Sequence, residues 1–242
     1  MTTVLITGAN RGIGLALARQ YAAERADVIG CCREPARAKE LKEVAPTSGG
    51  HVQIMQLDVS DEASIASLKG ALSNQPIDIL INNAGIVGPE TQSADCIDVE
   101  GWIKTLRVNA LAPILIGQAL RDNLRRGFGK KLVAISSDAG SISIDCYAGS
   151  PSGRNRYAYR ASKAALNNGM RGLARDWADD GVLVAILNPG FVRTDMTGRR
   201  AAGSSASISP EESARGIIRR IAELAPNTSG AFQDYRGEPI PW

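Results

Sequence analysis

The feature that most constrains the fold of this chain is an alternation of short apolar runs with longer segments of helical period. Runs such as "ILIN", "LVAIS" and "LVAIL" are apolar at consecutive positions, which is typical of strands covered on both faces. Segments with apolar residues at helical spacing follow such runs, for example "GIGLALARQYAAE" and "YAYRASKAALNNGMRGLARDWAD". Repeated β-α units of this kind predict a parallel sheet with helices on both faces.

The predicted fold class is therefore α/β: a doubly wound, Rossmann-like parallel sheet of about seven strands, with its ligand beyond the carboxyl ends of the strands. The 242 residues fit one large domain or two small ones. No linker rich in proline, glycine or serine divides them, so we favour a single nucleotide-binding domain over residues 1–242. Three segments are expected to form the substrate pocket: 86–97, 138–155 and 193–209.

Charge and composition argue against several functional classes. The net charge of +3, without a block of basic residues, gives no indication of nucleic-acid binding. No apolar stretch approaches the ~20 residues of a membrane-spanning helix, and no signal peptide is recognised, so we expect a cytoplasmic protein without a membrane partner. The four cysteines lack metal-ligand spacing, and the single histidine, His51, has no evident partner. Neither a metal site nor a histidine-centred triad is predicted.

A glycine-rich turn, "TGANRGIG", follows the first apolar run and precedes a helical segment. Gly8, Gly12 and Gly14 allow a tight turn and let a pyrophosphate approach the backbone at the start of the helix. Many tight β-α connections contain glycine, so the turn alone is weak evidence. Its place between the first strand and an amphipathic helix favours a nucleotide.

The end of the second predicted strand, "DVIGCCREP", indicates which nucleotide. An NAD site usually has an acidic residue there for the ribose 2′-hydroxyl, whereas a 2′-phosphate favours arginine. Here Arg33 follows the strand directly, and Arg11 of the glycine turn can flank the same phosphate. We therefore predict NADPH over NADH, a prediction that Glu34 would weaken if its carboxylate faced the ribose.

Five motifs occur in a fixed order along almost the whole chain: "TGANRGIG", "NNAG", "ISS", "YRASK" and "NPGFVRTDM". With these motifs the chain resembles the short-chain dehydrogenase/reductase family. The strings "YAYRASKAALN" and "GAFQDYRGEPIPW" are more specifically similar to carbonyl reductases of the C-factor and sniffer type.

The resemblance implies a set of four catalytic residues. Tyr159 and Lys163 correspond to the YxxxK pair of the family. Ser137, preferred to Ser136, corresponds to the serine that binds the substrate carbonyl, and Asn109 to the asparagine that holds a water beside the lysine. Ser137 and Tyr159 lie farther apart than in many family members, and the extra segment between them resembles an insertion of the carbonyl-reductase subgroup.

The resemblance also implies contacts with NADP(H) along several segments of the chain. The residues concerned are Gly8, Asn10, Arg11, Gly12, Ile13 and Gly14 in the glycine turn; Arg33 after the second strand; Asp58 and Val59 after the third; Asn83, Ala84 and Gly85 in "NNAG"; Tyr159 and Lys163; and Pro189, Gly190, Val192 and Thr194 in "NPGFVRTDM".

These residue types suit carbonyl reduction, in which the cofactor supplies a hydride and the protein a proton. A tyrosine with a pKa of about 10 is a poor proton donor at neutral pH, and a lysine one helical turn away lowers that pKa. The serine hydroxyl can hold the substrate oxygen. We therefore predict an NADPH-dependent reductase of ketones, aldehydes or quinones, with Tyr159 as the acid and Tyr157 in a packing role.

Two alternatives stay open. One is an NADP-dependent alcohol or steroid dehydrogenase working in the oxidative direction, and the other is a non-catalytic dinucleotide-binding signalling protein of C-factor type. The intact serine, tyrosine and lysine set favours an enzyme with a small carbonyl or alcohol substrate, whose identity the sequence does not reveal. Helical segments 98–124 and 156–180 form dimer faces in many relatives, which leaves a homodimer or homotetramer open.

Overall fold

A computed structural model of the chain describes residues 1–47, 51–90, 92–144, 156–198 and 204–242. Its named strands are β1 (Thr3–Thr7), β2 (Asp27–Cys32), β3 (Val52–Gln56), β4 (Ile79–Asn82), β5 (Lys131–Ile135), β6 (Leu183–Asn188) and β7 (Phe232–Asp234). They form one 7-stranded sheet in the order β3-β2-β1-β4-β5-β6-β7, and every pairing is parallel.

The named α-helices are α1 (Gly12–Ala23), α2 (Lys39–Thr47), α3 (Glu62–Leu72), α4 (Val99–Leu106), α5 (Ala112–Ala119), α6 (Arg121–Arg126), α7 (Tyr157–Asp176) and α8 (Pro210–Ala222). Short 3₁₀ turns cover Pro35–Arg37, Asp138–Gly140 and Pro226–Thr228.

Two separate apolar cores cover the two faces of the sheet. On one face, α1, α2 and α8 pack around Leu17, Leu41 and Ile217. On the other face, α3, α5 and α7 pack residues such as Ile116 and Met170 against the strands. The consecutive apolar residues of the strands therefore have a partner on each side, and the predicted doubly wound α/β fold is confirmed.

The order of the strands reverses at β1, which lies between β2 and β4. At such a switch point the connections after neighbouring strands diverge to opposite faces and leave a crevice at the carboxyl edge of the sheet. The glycine turn follows β1 and "NNAG" follows β4, so both motifs border this crevice.

The helical stretch predicted over 98–124 is not one regular helix. A π turn, Arg107–Leu111, separates α4 from α5, and Leu120, with a φ of −103° and a ψ of 12°, separates α5 from α6. π turns inside helices are frequent at functional sites, and this one contains Asn109.

The predicted pocket segments are described in part. Thr91 lies outside the described residues, as do 145–155 of the second segment and 199–203 of the third, including Arg199 and Arg200. In the described part of the chain, no helix combines the length and apolarity needed to cross a membrane.

Candidate active site

The glycine turn has the geometry that a phosphate requires. Gly8 and Gly12 adopt φ values of +66° and +56°, which side-chain-bearing residues rarely tolerate. A Cβ on Gly14 would overlap the main-chain oxygen of Gly8. No side chain caps the start of α1, and its first turn contains no acidic residue. The turn and the helix start therefore fit an anionic group well.

Hydrogen bonds fix the glycine turn to "NNAG" across the crevice. Thr7 Oγ1 accepts from the amides of Asn83 and Ala84, both at 3.0 Å. In return, Asn83 Nδ2 donates to the main-chain oxygens of Thr7 at 2.9 Å and Gly8 at 3.2 Å. Two predicted cofactor segments, far apart in the chain, are thus one rigid unit.

The charged groups at the ends of β2 and β3 bear on the choice between NADPH and NADH. Arg33 is exposed directly after β2. Glu34, which could have weakened the prediction of NADPH, forms an ion pair with Arg37 at 3.0 Å. A hydrogen bond from Ser60 lowers the pKa of Asp58, and the charge of Arg33 acts in the same direction. The Glu34 carboxylate is thus paired with Arg37, and the role of Arg33 stays a prediction.

Arg11 already has an anionic partner. Its guanidinium forms an ion pair of 3.1 Å with Asp195, and both side chains are exposed. Asp195 follows β6, so the pair connects the glycine turn with the segment after the sixth strand. A phosphate at this edge would share Arg11 with a carboxylate.

The segment after β6, which contains the residues predicted to bind the nicotinamide, approaches the glycine turn. Gly190 has a φ of +82°, and a Cβ on Gly12 would lie 3.3 Å from Cγ2 of Thr194. Val192 is buried. Ser213 of α8 donates to the oxygen of Pro189 at 2.7 Å and holds the segment in place.

The buried ammonium of Lys163 lies at the centre of the predicted catalytic residues. Its Nζ donates to the main-chain oxygen of Ile135, at the end of β5, at 2.8 Å and lies 5.7 Å from the centroid of the Tyr159 ring. Burial lowers the pKa of Lys163 to about 8. Tyr159 and Lys163 are one turn apart on α7, so the predicted pair is close in space.

Asn109 is held by hydrogen bonds on both ends of its amide. Its Oδ1 accepts from the Ile86 amide at 2.8 Å, and its Nδ2 donates to the Ile86 oxygen at 2.8 Å and to Ser162 Oγ at 3.0 Å. A Cβ on Gly85 would lie 3.2 Å from this amide and 4.0 Å from Lys163 Nζ. The π turn, "NNAG" and α7 therefore meet at the lysine.

The two serines of "ISS" have different surroundings. Ser136 is buried, and its hydroxyl donates to Asn167 of α7 at 2.5 Å. Ser137 is half-buried, and its Oγ caps the following 3₁₀ turn and contacts Asp138 at 3.0 Å. Of the two hydroxyls, that of Ser137 is the more accessible. A Cβ on Gly140 would lie only 2.9 Å from the main chain of Lys163, so this turn packs directly on α7.

Two buried residues that the sequence patterns did not indicate also position α7. Gln92 accepts from the Ala158 amide at 2.8 Å, next to Tyr159. Asn167 lies one turn after Lys163 and bonds to Ser136. Asn167 could have been found from the four-residue spacing of Tyr159, Lys163 and Asn167, whereas no local pattern marks Gln92.

The remaining predicted cofactor residues differ in their surroundings. Asn10 is half-buried in the glycine turn, while Ile13 and Val59 pack against the two apolar cores.

His51, expected to lack a partner, contacts Asp27 at 3.0 Å between the starts of β3 and β2. Among the described residues, no group of three metal-ligating side chains is found.

The family model described as "short chain dehydrogenase" matches residues 2–204. The chain belongs to the short-chain dehydrogenase family. This short-chain dehydrogenase is 36% identical to C-signal of Myxococcus xanthus over 167 residues, which cover 69% of this chain and 93% of that protein. The family assignment made from the five motifs is thereby confirmed.

Solved structures that resemble the chain include two carbonyl reductases. The NADPH-bound carbonyl reductase from chicken fatty liver has a TM-score of 0.91 and 30% identity, covering 100% of this chain and 99% of its own. Carbonyl reductase Sniffer of D. melanogaster has a TM-score of 0.86 and 30% identity, with 100% of both chains covered. Similarity to sniffer-type carbonyl reductases, indicated by the sequence, is thus confirmed.

Proposed function

We propose that this short-chain dehydrogenase is an NADPH-dependent reductase that converts the carbonyl of a ketone, aldehyde or quinone to an alcohol. The observation that carries the proposal is the buried ammonium of Lys163, 5.7 Å from the Tyr159 ring, on a helix that packs against the turn after Ser137. Similarity to an NADPH-bound carbonyl reductase supports it.

The cofactor would lie along the carboxyl edge of the sheet. The start of α1 and the glycine turn would hold its pyrophosphate, and Arg33 with Arg11 its 2′-phosphate. The segment after β6, including Gly190 and Thr194, would hold the nicotinamide. When bound, NADPH supplies the hydride that reduces the carbonyl carbon.

The protein's part is to bind the carbonyl oxygen and give it a proton. The Ser137 hydroxyl would donate a hydrogen bond to that oxygen as negative charge develops there. Tyr159 would transfer its phenolic proton to the same oxygen. The ammonium of Lys163 stabilises the phenolate that results. With a pKa of about 8, Lys163 can also pass a proton to Tyr159 near neutral pH.

The substrate is proposed to be apolar around its carbonyl group. Three large apolar side chains are exposed on the segments after β5 and β6: Ile142 by 86%, Phe191 by 38% and Met196 by 41%. Exposed apolar residues at the mouth of a ligand site favour substrates that cover them.

The test is NADPH oxidation with a panel of ketones, aldehydes and quinones. Tyr159→Phe is expected to lower kcat by about 1,000-fold, because general-acid catalysis contributes factors of this order. The dissociation constant of NADPH should stay close to that of the wild type, since the phenyl ring remains. Tyr157→Phe is the matched control and should retain full turnover. Full activity of Tyr159→Phe would refute the proposed acid.

Similarity to C-signal keeps a second candidate, a dinucleotide-binding signalling protein. The same assay separates the two. Tight binding of NADPH without turnover on any carbonyl, and without reduction of NADP⁺ by alcohols, would favour the signalling protein. Turnover only from the alcohol side would favour a dehydrogenase working in the oxidative direction.

A further inference from the structure

Trp242 connects distant parts of the molecule. Its ring lies 4.8 Å from the guanidinium carbon of Arg171 on α7 and 5.6 Å from the ring of Phe232 on β7. Its main-chain oxygen accepts hydrogen bonds from the amides of Ile142 at 2.7 Å and Ser143 at 3.0 Å. The same oxygen accepts from the Ser141 hydroxyl at 3.0 Å. These three donors are consecutive and begin four residues after Ser137.

Ser141 is buried, but the other two donors belong to residues with little side-chain packing of their own. The Ile142 side chain is 86% exposed, and Ser143 is exposed as well. The hydrogen bonds to Trp242 are therefore a main source of order for these residues, because exposed side chains contribute little burial energy. The contacts of the Trp242 ring with Arg171 and Phe232 in turn fix the position of the Trp242 main-chain oxygen.

One face of α7 supports the whole segment. Lys163 packs against Gly140, Asn167 bonds to Ser136, and Arg171 packs on Trp242. These three residues are spaced by four and so lie along one side of the helix, continuing the line that begins at Tyr159. Tyr159 and the segment around Ser137 thus share one support.

We propose that Trp242, seated on Arg171, is a positioning residue for Ser137. It fixes residues 141–143 and thereby holds the turn after β5 at the distance from Tyr159 that carbonyl binding requires. The inference rests on the proposed reductase function, because it concerns the hydroxyl that would bind the carbonyl oxygen. Displacement of a reacting group by about 1 Å can cost a factor of 100 in rate.

The first test measures hydrogen exchange at the amides of Ile142 and Ser143 in the full chain. Trp242→Ala and Arg171→Ala are expected to exchange at least about tenfold faster at both amides, because a lost anchor permits local opening. Arg175→Ala is the matched control, since Arg175 is exposed one turn further along α7 and should leave the exchange rates unchanged. Wild-type exchange rates in Trp242→Ala would overturn the proposal.

The second test measures kcat per binding-competent chain. The number of such chains in each sample is determined by titration with NADPH. Trp242→Ala should lower kcat for a carbonyl substrate about tenfold at an unchanged NADPH dissociation constant. Trp242→Phe, which keeps an aromatic ring for Arg171, should recover most of that loss. A merely structural role would instead reduce the number of binding-competent chains while each kept its full kcat, and this result would also overturn the proposal.

The two tests separate this inference from the proposed function. If the wild-type protein turns over no carbonyl, the reductase function fails, and with it the role assigned to Ser137. In that case, faster exchange in Trp242→Ala would still show that Trp242 orders residues 141–143. If the wild type is active but Trp242→Ala keeps full kcat, only the positioning role is refuted.

Discussion

The candidate cofactor edge, formed by the segments after β1, β2 and β6, and the candidate catalytic side around α7 are built by opposite means. At the candidate cofactor edge, exposed charged groups form ion pairs such as Arg11 with Asp195 and Glu34 with Arg37. On the catalytic side, Lys163 and Asn109 are buried and bonded to main-chain groups. The first region can change partners, whereas the second is fixed by the fold.

This difference has an energetic basis. Exposed ion pairs contribute about 0–1 kcal/mol, so a competing phosphate can displace them at little cost. A buried polar group left without its partner costs about 1–3 kcal/mol, so the catalytic groups stay where the main chain holds them. Substitutions at the candidate cofactor edge should therefore change the dissociation constant of NADPH by small factors. Substitutions of the buried groups should lower turnover by large factors.

Among the variants that test this comparison, the largest effect is expected for Lys163→Met on the candidate catalytic side. Turnover should fall at least about 100-fold, since the phenol loses the cation that favours its ionisation. Steady-state NADPH oxidation with an active carbonyl substrate measures this. Retention of more than half of the wild-type kcat would show that the buried ammonium is dispensable.

The same variant has a signature in stability. Burial lowers the pKa of Lys163 from 10.5 to about 8, so between these pH values the unfolded chain holds a proton that the folded chain lacks. This residue alone therefore makes the folded state less stable below pH 8, and the penalty disappears as pH rises to about 10.5. Lys163→Met, which removes the penalty but leaves Ile135 unbonded, should unfold with a free energy higher by about 1 kcal/mol at pH 7. Urea titrations should show that advantage vanish by pH 10.

A moderate effect is expected for Arg33→Ala, which tests the cofactor edge. The dissociation constant of NADPH should rise about tenfold, because one charge-assisted contact to the 2′-phosphate is lost. NADH lacks that phosphate, and its binding should be unaffected. Arg19→Ala, an exposed arginine paired with Glu40, is the control and should bind both cofactors normally. Equal losses for NADPH and NADH would mean that Arg33 does not read the phosphate.

The smallest effect is expected for Asp195→Asn, which releases Arg11. NADPH should bind about twofold tighter, in line with the small value of an exposed ion pair, and the gain should disappear at high salt. Asp122→Asn, which disturbs an exposed pair with Arg125 instead, should leave binding unchanged. A large gain that persists in salt would contradict the comparison drawn between the two regions.

The fold and the family could be predicted because both depend on local patterns. Apolar runs indicated the strands, and the resemblance of "YRASK" and the other motifs to the family implied Tyr159 and Lys163 as a pair. The roles of the individual site residues stay predictions until they are tested. The π turn was not predicted, although "RVNALAP" carries a signal for it. Pro113 has no amide hydrogen to donate to the oxygen of Asn109, so the regular helical hydrogen bonds are interrupted there.

Contacts between segments that are distant in the chain also could not be predicted from the sequence. Gln92 reaches α7 from the segment after "NNAG", and Trp242 reaches the segment after β5 from beyond β7. Such contacts depend on how distant segments fold together, and a single glutamine or tryptophan gives no periodic signal. The ion pair of Arg11 with Asp195 could not be predicted for the same reason.

The π turn over Arg107–Leu111 also bears on how this chain can evolve. A helix advances by about 100° for each residue, so the extra residue of a wide turn rotates everything that follows it. The orientation of α5 relative to α4 is therefore set by the number of residues between them more than by their identity. Substitutions around Asn109 keep that number, whereas an insertion or deletion of one residue would turn either Asn109 or α5 away from its contacts. Descendants of this chain are expected to vary here in composition long before they vary in length.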